Sequence, residues 1–390
     1  MREIYLDNSA TTPLCDAAKE AMRSAMEVYG NPSSLHTVGQ EAHKLVETAR
    51  REIGTTLGLR STSEAARILF TSCGSESDNL AILGTAFAKP RRRGGRIITT
   101  DAEHSGVENT MRLLEAHGFE VVRIRTVGGE LDWEQYTDAL NDRTFLVSMM
   151  MVNNETGAQF DIAKAFVLAK AKHEDIVTHT DAVQGYLKCR FTPRAIHADM
   201  VTVSAHKIHG PKGVGALYVS PEALKRRDLI PCIYGGGQEF GFRSGTENIV
   251  GIAGFGAAAR EGYANLSDEL AHLRALRDYA CQLLADLPVR INQPTGAYAP
   301  HILNLTLPDI RSETMLHSLS AQGISVSQGS ACSSHSAGQV SRALRAHGLS
   351  EADAEASIRV SFGRQNTKED VDALVAALTD AVERLVRRKH

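Results

Sequence analysis

Ser204-Ala205-His206-Lys207 closes an apolar, β-branched run (Met200, Val201, Val203) and opens a loop punctuated by Gly210, Pro211, Gly213 and Gly215. A lysine just past a buried strand, once desolvated, gives up its proton and becomes a nucleophilic amine. A solvated loop lysine is the plain alternative, and this segment alone does not separate the two. Other side chains with usable chemistry stand in similar places. Gly74-Ser75 falls where an apolar run gives way to a helix pattern, and the free N–H groups of a helix N-terminus favour a phosphate. Asp101-Ala102-Glu103-His104, Asn153-Asn154-Glu155 and His179-Thr180-Asp181, with Gln184 shortly after, follow three further runs. Each could be an ordinary turn or cap.

Together they form a set. A lysine, an aspartate, a ring histidine (His104), two amides (Asn154, Gln184) and phosphate donors on strand ends match the needs of pyridoxal phosphate. Its aldehyde takes a lysine amine, its ring nitrogen a carboxylate that keeps it protonated, and its phosphate a helix N-terminus with hydroxyls. Cys332 lies in a different setting, the run from Gln328 to Gly338, which is small and polar with no apolar stripe. Such a segment suits an exposed nucleophile that must reach a substrate and carry its product away. A cysteine can instead be a small buried hydrophobe, a reading that fits the apolar neighbourhoods of Cys189 and Cys281 better. His335, three residues on, is of a type that can lower a thiol pKa, but nothing in the sequence shows that it does so for Cys332.

The elements that must position these residues read as alternating strand and helix. Strand patterns are expected at 65–71, 96–100, 119–125, 144–152, 176–180 and 200–204, with helices at 38–57, 106–117, 133–140 and 162–173 between them. A further helix opens at Ser75-Glu76-Ser77-Asp78 with a capping-box-like start. The alternation predicts a mostly parallel α/β sheet with helices on both faces, so ligands should collect at the carboxyl ends of its strands. After about residue 257 the pattern shifts to a long polar helix (265–287), strands at 302–307 and 358–362, a helix at 314–322, and a last helix capped by Thr367 with Asp370. We therefore expect a large α/β domain over 16–257 and a smaller α+β domain made of 1–15 and 258–390.

Whole-chain properties narrow the class. The 390 residues can bury a large core, and the net charge of −3 argues against a dedicated nucleic-acid binder. Arg91-Arg92-Arg93, between a helix pattern and a strand, reads as a solvated turn. The 6 cysteines show no CxxC, which disfavours a zinc site or a disulfide framework and fits a reducing compartment. Arg2, Glu3 and Asp7 leave no room for a signal peptide, and no apolar run would cross a bilayer, so a cytoplasmic protein is expected, with no metal, nucleic acid or membrane as partner.

Ten segments in order then carry a resemblance: LDNSATTP (6–13), GNPSSLH (30–36), FTSCGSESDNLAI (70–82), EHSGV (103–107), VNNETG (152–157), HTDAVQ (179–184), SAHKIHGPKGVGALY (204–218), GGGQEFGFRSGT (235–246), GSACSS (329–334) and SIRVSFGR (357–364). Over essentially the whole chain they resemble the cysteine desulfurases, in the class V aminotransferase branch of fold-type I pyridoxal phosphate enzymes. The resemblance implies a seven-stranded-type sheet in the large domain. It implies Lys207 as the Schiff-base lysine, Asp181 on the pyridine nitrogen, His104 stacked on the ring, and Gln184 and Asn154 near the ring hydroxyl or substrate. Gly74, Ser75, Ser204 and His206 would hold the phosphate. Thr246 would reach the phosphate of a second copy, making a homodimer. Arg359 would clamp the substrate carboxylate, for which a bidentate guanidinium is suited.

The implied reaction removes sulfur from L-cysteine, leaving alanine and a persulfide on Cys332 that passes to an acceptor, such as an iron–sulfur scaffold protein, for cluster or thiocofactor synthesis. Another class V activity, an aminotransferase or a selenocysteine lyase, would share the cofactor contacts. Three departures stand out: Cys73 replaces the usual glycine, the run after Cys332 lacks a Glu-Pro pair, and the chain ends at His390 without the extra segment some members use to dock a scaffold.

Overall fold

A computed structural model describes residues 3–92, 94–307, 309–328 and 340–386. Twelve strands occur among them: β1 Ile4–Tyr5, β2 Ile68–Thr71, β3 Arg96–Thr100, β4 Glu120–Ile124, β5 Thr144–Ser148, β6 Val177–Asp181, β7 Met200–Ser204, β8 Gly215–Val219, β9 Arg290–Ile291, β10 Ile302–Thr306, β11 Ile324–Ser325 and β12 Ser357–Ser361. Seven of them form one sheet in the order β2-β8-β7-β6-β5-β3-β4. β8 pairs antiparallel with both β2 and β7, while the remaining pairs are parallel. The expected mostly parallel α/β sheet of seven strands is thus present.

Both faces of the sheet are covered, and the alternation of side chains shows it. Ile68 and Phe70 of β2 and Val201 and Val203 of β7 join one apolar cluster, with Val46, Ile53, Ile252 and Phe255 from flanking helices. Leu69, Met200, Leu217 and Val219 join the other, with Leu80, Val107 and Met111. A strand buried on both faces reads as a near-continuous apolar run, as these do. Because six strands point the same way, Thr71, Thr100, Ser148, Asp181 and Ser204 all end at one edge. Gly215 begins β8 at that edge, where a Cβ would come within 2.7 Å of the Cys73 carbonyl carbon. The missing side chain lets two backbones close there.

A third cluster surrounds the antiparallel sheet β12-β10-β9, with Leu303, Leu305, Ile358, Val360 and Phe362 packed on the last helix through Val371, Leu374 and Leu378. Strand alternation sends Ile358 and Val360 into this core and leaves Arg359 on the opposite face. That reversal aims the guanidinium at the large sheet.

Several expectations change. The helix after β2 runs Gly74–Phe87 with Cys73 in the N-cap position and no side-chain cap. Ser75 is therefore inside the helix rather than its cap. The expected strand at 144–152 ends at Ser148; beyond it the Met149 and Met151 N–H groups still donate to the His179 and Asp181 carbonyls, while Met150 and Val152 form part of the wall of the site. Arg92 is no solvated turn residue: it is 4 % exposed, bonds to Asp228 at 2.5 Å and lies over the Phe145 ring. Thr367 precedes the helix Lys368–Val386; its N–H donates to the Asp370 carboxylate at 3.1 Å and its carbonyl accepts the Asp370 N–H at 3.2 Å, while its hydroxyl has no hydrogen-bond partner among the described residues. Among the described residues Cys15 is the most buried thiol, while Cys189 and Cys281 are half-buried and pack against apolar clusters as expected. The helix Ile249–Ala264 was not anticipated, because its glycines and alanines give it little amphipathic contrast.

Candidate active site

At the carboxyl edge of the large sheet a cavity of about 180 Å³ is lined by Gly74, Ser75, His104, Asn154, Asp181, Gln184, Ser204, His206, Lys207 and Arg359. They come from six separate stretches of chain. Cys73, Asp78, Ser9 and Ala10 line it too. Thr246 does not; it is exposed and outside the cavity. Cys332 and His335 lie outside the described residues.

Lys207 ends a single helical turn, Ala205–Lys207, directly after β7. Its Nζ donates to the carbonyls of Ser9 at 2.5 Å and Ala10 at 2.7 Å. The same Ser9 carbonyl accepts the Gln184 side-chain amide at 2.9 Å. The N-terminal segment, quoted above only as a motif, is thus what orients the lysine. The His206 ring nitrogen Nδ1 lies 3.3 Å from the Thr11 hydroxyl, and burial together with Lys207 and Lys212 pulls its pKa down to about 3, so the ring is neutral.

His104 is the N-cap of the helix Ser105–Ala116; its Nδ1 accepts the Gly106 N–H at 3.1 Å, which fixes the ring as one wall of the cavity. Asp181 ends β6, accepts the Val183 N–H at 2.9 Å and is 6 % exposed. Burial raises its pKa, while His104, that N–H and Lys207 pull it back. Beside it, Glu103 accepts from the Thr100 hydroxyl at 2.6 Å and the Met150 N–H at 2.9 Å, and burial pushes its pKa up to about 8.

Arg359 is 1 % exposed. It donates to the Asn154 carbonyl at 2.8 Å and to the Asp7 carboxylate at 2.7 Å, and its Nε has no hydrogen-bond partner among the described residues. A buried guanidinium with a free donor at a cavity wall can take an anionic oxygen. The chain on either side of residues 329–339 is fastened to this wall as well. Ser327 pairs with Arg359 through backbone bonds, and the Ser341 hydroxyl donates to Glu155 at 2.5 Å.

Do these residues fit pyridoxal phosphate? The helix starting at Gly74 has no side-chain cap, so its first N–H groups are open to a phosphate. A Cβ on Gly74 would meet Val183 Cγ2 at 2.8 Å, so the cradle tolerates only glycine. The Ser204 hydroxyl is buried with no hydrogen-bond partner among the described residues and lines the same cavity. An amine, a buried carboxylate and a ring complete the set. They fit.

Residues 4–374 match the model of the aminotransferase class-V family. The chain is 39% identical over 389 residues to the cysteine desulfurase of Trichormus azollae, covering 99% of this chain and 94% of that one. The chain belongs to the aminotransferase class-V family, in its cysteine desulfurase branch. It is also 38% identical over 388 residues to the cysteine desulfurase IscS of Methanosarcina thermophila, covering 98% of this chain and 93% of the relative. Among solved structures, a NifS-like protein superposes with a TM-score of 0.89 at 35% identity, covering 99% of this chain and all 100% of that one. A structure described as SspA in complex with cysteine gives a TM-score of 0.80 at 32% identity, covering 93% of this chain and 100% of that one. The fold-type I architecture expected from the ten segments is that of these relatives.

Asp7, Ser9, Ala10 and Asp78 escaped the reading of the sequence as site residues. Asp7 through Ala10 were visible as part of a motif, but nothing in their types signals that two backbone carbonyls would grip a lysine.

Proposed function

We propose that this chain is a cysteine desulfurase that uses pyridoxal phosphate to convert L-cysteine to L-alanine and an enzyme-bound persulfide. The observation that carries this reading is the convergence of Lys207, Asp181 and Arg359, from the turn after β7, from β6 and from β12, on one cavity beside an uncapped helix N-terminus. When bound there, pyridoxal phosphate supplies an aldehyde for amine exchange and a protonated ring that draws electrons from the substrate Cα. Gly74, Ser75, Ser204 and His206 would hold its phosphate, Asp181 its ring nitrogen and His104 its ring face, with Gln184 and Asn154 near its hydroxyl or the substrate.

The remaining work falls to the chain's own groups. Arg359 binds the cysteine carboxylate with the donor that Asp7 and Asn154 leave open. Lys207 Nζ, held over the site by Ser9 and Ala10, takes the proton from Cα. Cys332 thiolate attacks the substrate sulfur: the new S–S bond forms as the C–S bond breaks, and the carbon fragment leaves as alanine. The persulfide then passes to an acceptor, such as an iron–sulfur scaffold protein. Thr246 is read as reaching the phosphate in a second copy, which is supported by its exposure on the loop 235–246. That loop is pinned by the Arg50–Glu239 ion pair.

The test is incubation of purified protein with L-cysteine and a reductant. Equal amounts of alanine and sulfide are expected. Transfer of the amino group to a 2-oxo acid without sulfide release would instead make it an aminotransferase and sink the proposal.

A further inference from the structure

Beneath the cavity lies a second carboxyl that the reaction above does not use. Asp78 sits one turn into the helix Gly74–Phe87, is 1 % exposed, and lines the cavity with an Oδ1 that has no hydrogen-bond partner among the described residues. The groups facing it are Thr202 on β7, His179 and Asp181 on β6, Glu103 after β3, and Cys73 before its own helix. None of these is a cation. His179 Nε2 is 3.7 Å from Asp78 Oδ1, too far for a hydrogen bond. Both its ring nitrogens are taken, Nδ1 by the Ser148 hydroxyl at 2.8 Å and Nε2 by the Thr202 hydroxyl at 3.0 Å. Burial holds its pKa down to about 3, so this contact is not an ion pair.

Two carboxyls in one dry pocket cannot both ionise without a nearby cation, and the proton goes to the one with poorer support. Asp181 has His104, the Val183 N–H and Lys207 on its side. Asp78 has the Thr202 hydroxyl, against Asp181 and Glu103. The asymmetry selects Asp78 as the proton carrier.

We propose that Asp78 is the neutral member of a carboxyl pair with Asp181, a positioning residue whose proton leaves Asp181 as the sole anion available to the ring nitrogen of the cofactor. The cofactor part rests on the reading above; the charge assignment does not. Burial of Asp78, and the repulsion of Asp181 behind it, act in the same direction and hold its carboxyl well above the usual range. A single negative charge under the ring matches one protonated nitrogen, whereas two would leave a surplus anion buried without compensation, a costly arrangement.

The experiment is infrared difference spectroscopy on the purified protein, with and without added pyridoxal phosphate, comparing the parent with Asp78→Asn. A protonated-carboxyl C=O band is expected in the parent in both states and absent from the variant. Carbon-13 aspartate in the parent protein should shift that band, which separates it from buried Glu103, and its loss in Asp78→Asn separates it from Asp181. Because an amide mimics a neutral acid, pyridoxal phosphate affinity in Asp78→Asn should stay within about threefold of the parent. Absence of an aspartic-acid band, or a weakening of more than about tenfold in a folded variant, overturns the proposal. Asp181→Asn is measured alongside. If it leaves cofactor affinity unchanged, the assigned role of Asp181 fails, while the infrared band still decides the charge of Asp78.

Discussion

Arg359 on β12 and Asp7 near residue 1 meet through a 2.7 Å ion pair at the rim of the candidate cavity. More than three hundred residues of chain separate them. The pair holds one edge of the guanidinium, and the backbone carbonyl of Asn154 a second, so the arginine is preorganised before any substrate arrives. We expect Arg359→Lys to raise the KM for L-cysteine by about 10–100-fold, the worth of one or two hydrogen bonds to a charged group. The visible absorbance of the bound cofactor should persist, because the ammonium lacks the planar fork but touches nothing that holds the ring. Loss of the cofactor in this variant would move Arg359 from the substrate to the cofactor.

Lys207→Ala removes both the amine and the proton acceptor. The absorbance of the lysine-bound cofactor should vanish and turnover should fall by at least about 10⁴-fold, as for other residues that act both as nucleophile and as base. A spectrum and a sulfide assay on the same preparation check this. An unchanged spectrum would place the cofactor on another amine.

Cys332→Ser separates the two halves of the reaction. The cofactor spectrum should match the parent, and no persulfide should form. Sulfide release at the parent rate would show that a different group takes the sulfur, and Cys73, which lines the cavity, would be examined next.

Glu103 makes a prediction about pH. Its folded-state pKa, raised from 4.5 to about 8 by burial, exceeds its unfolded value, so the folded chain holds this proton more tightly. The contribution is fully present below pH 4.5 and is lost as pH rises through about 8. Denaturant titrations of the parent and Glu103→Gln should therefore diverge as pH rises across that window, the variant gaining relative stability. The glutamine keeps the acceptor oxygen for Thr100 and Met150 and cannot ionise. Parallel stability curves would mean that Glu103 is already ionised in the folded protein.

Glu239 tests the loop that carries Thr246. Its carboxylate takes two donors from Arg50, at 2.8 and 3.0 Å, and the Phe70 N–H at 2.8 Å, all buried. Glu239 and Phe240 also hold positive φ values of 49° and 58°, which the contacts must enforce. Glu239→Ala removes the bidentate partner of a buried guanidinium, which keeps Glu47 at 3.0 Å and the Ile68 carbonyl, and should cost about 3–5 kcal/mol in chemical denaturation. Loss below about 1 kcal/mol would show that the loop is fixed by other means.

How much of this was legible in advance depends on the range of the interaction. Period and composition suffice for the strands of the large sheet, since each is a short apolar run whose neighbours along the chain are helices. The site residues were legible as types at strand ends, because a parallel sheet sends those ends to one edge whatever its strand order. Cys73 misled the reading of its helix: with no hydroxyl at the N-cap, the start was placed at Ser75, when the missing cap is what leaves the helix open to a phosphate. Arg92 misled in the same way, because its partner Asp228 lies far along the chain.

The amino-acid sequence by itself determined the sheet, the family and the set of side chains able to bind a cofactor, since those follow from local periodicity and from motifs quoted in order. Only the tertiary structure decided how these side chains are held and charged. Ser9 and Ala10 grip Lys207 through backbone carbonyls, which carry no sequence signature. Asp78 stands beside Asp181 because the helix after β2 packs against β6 and β7. Ionisation depends on which groups share a dry pocket, and that is settled in space rather than along the chain.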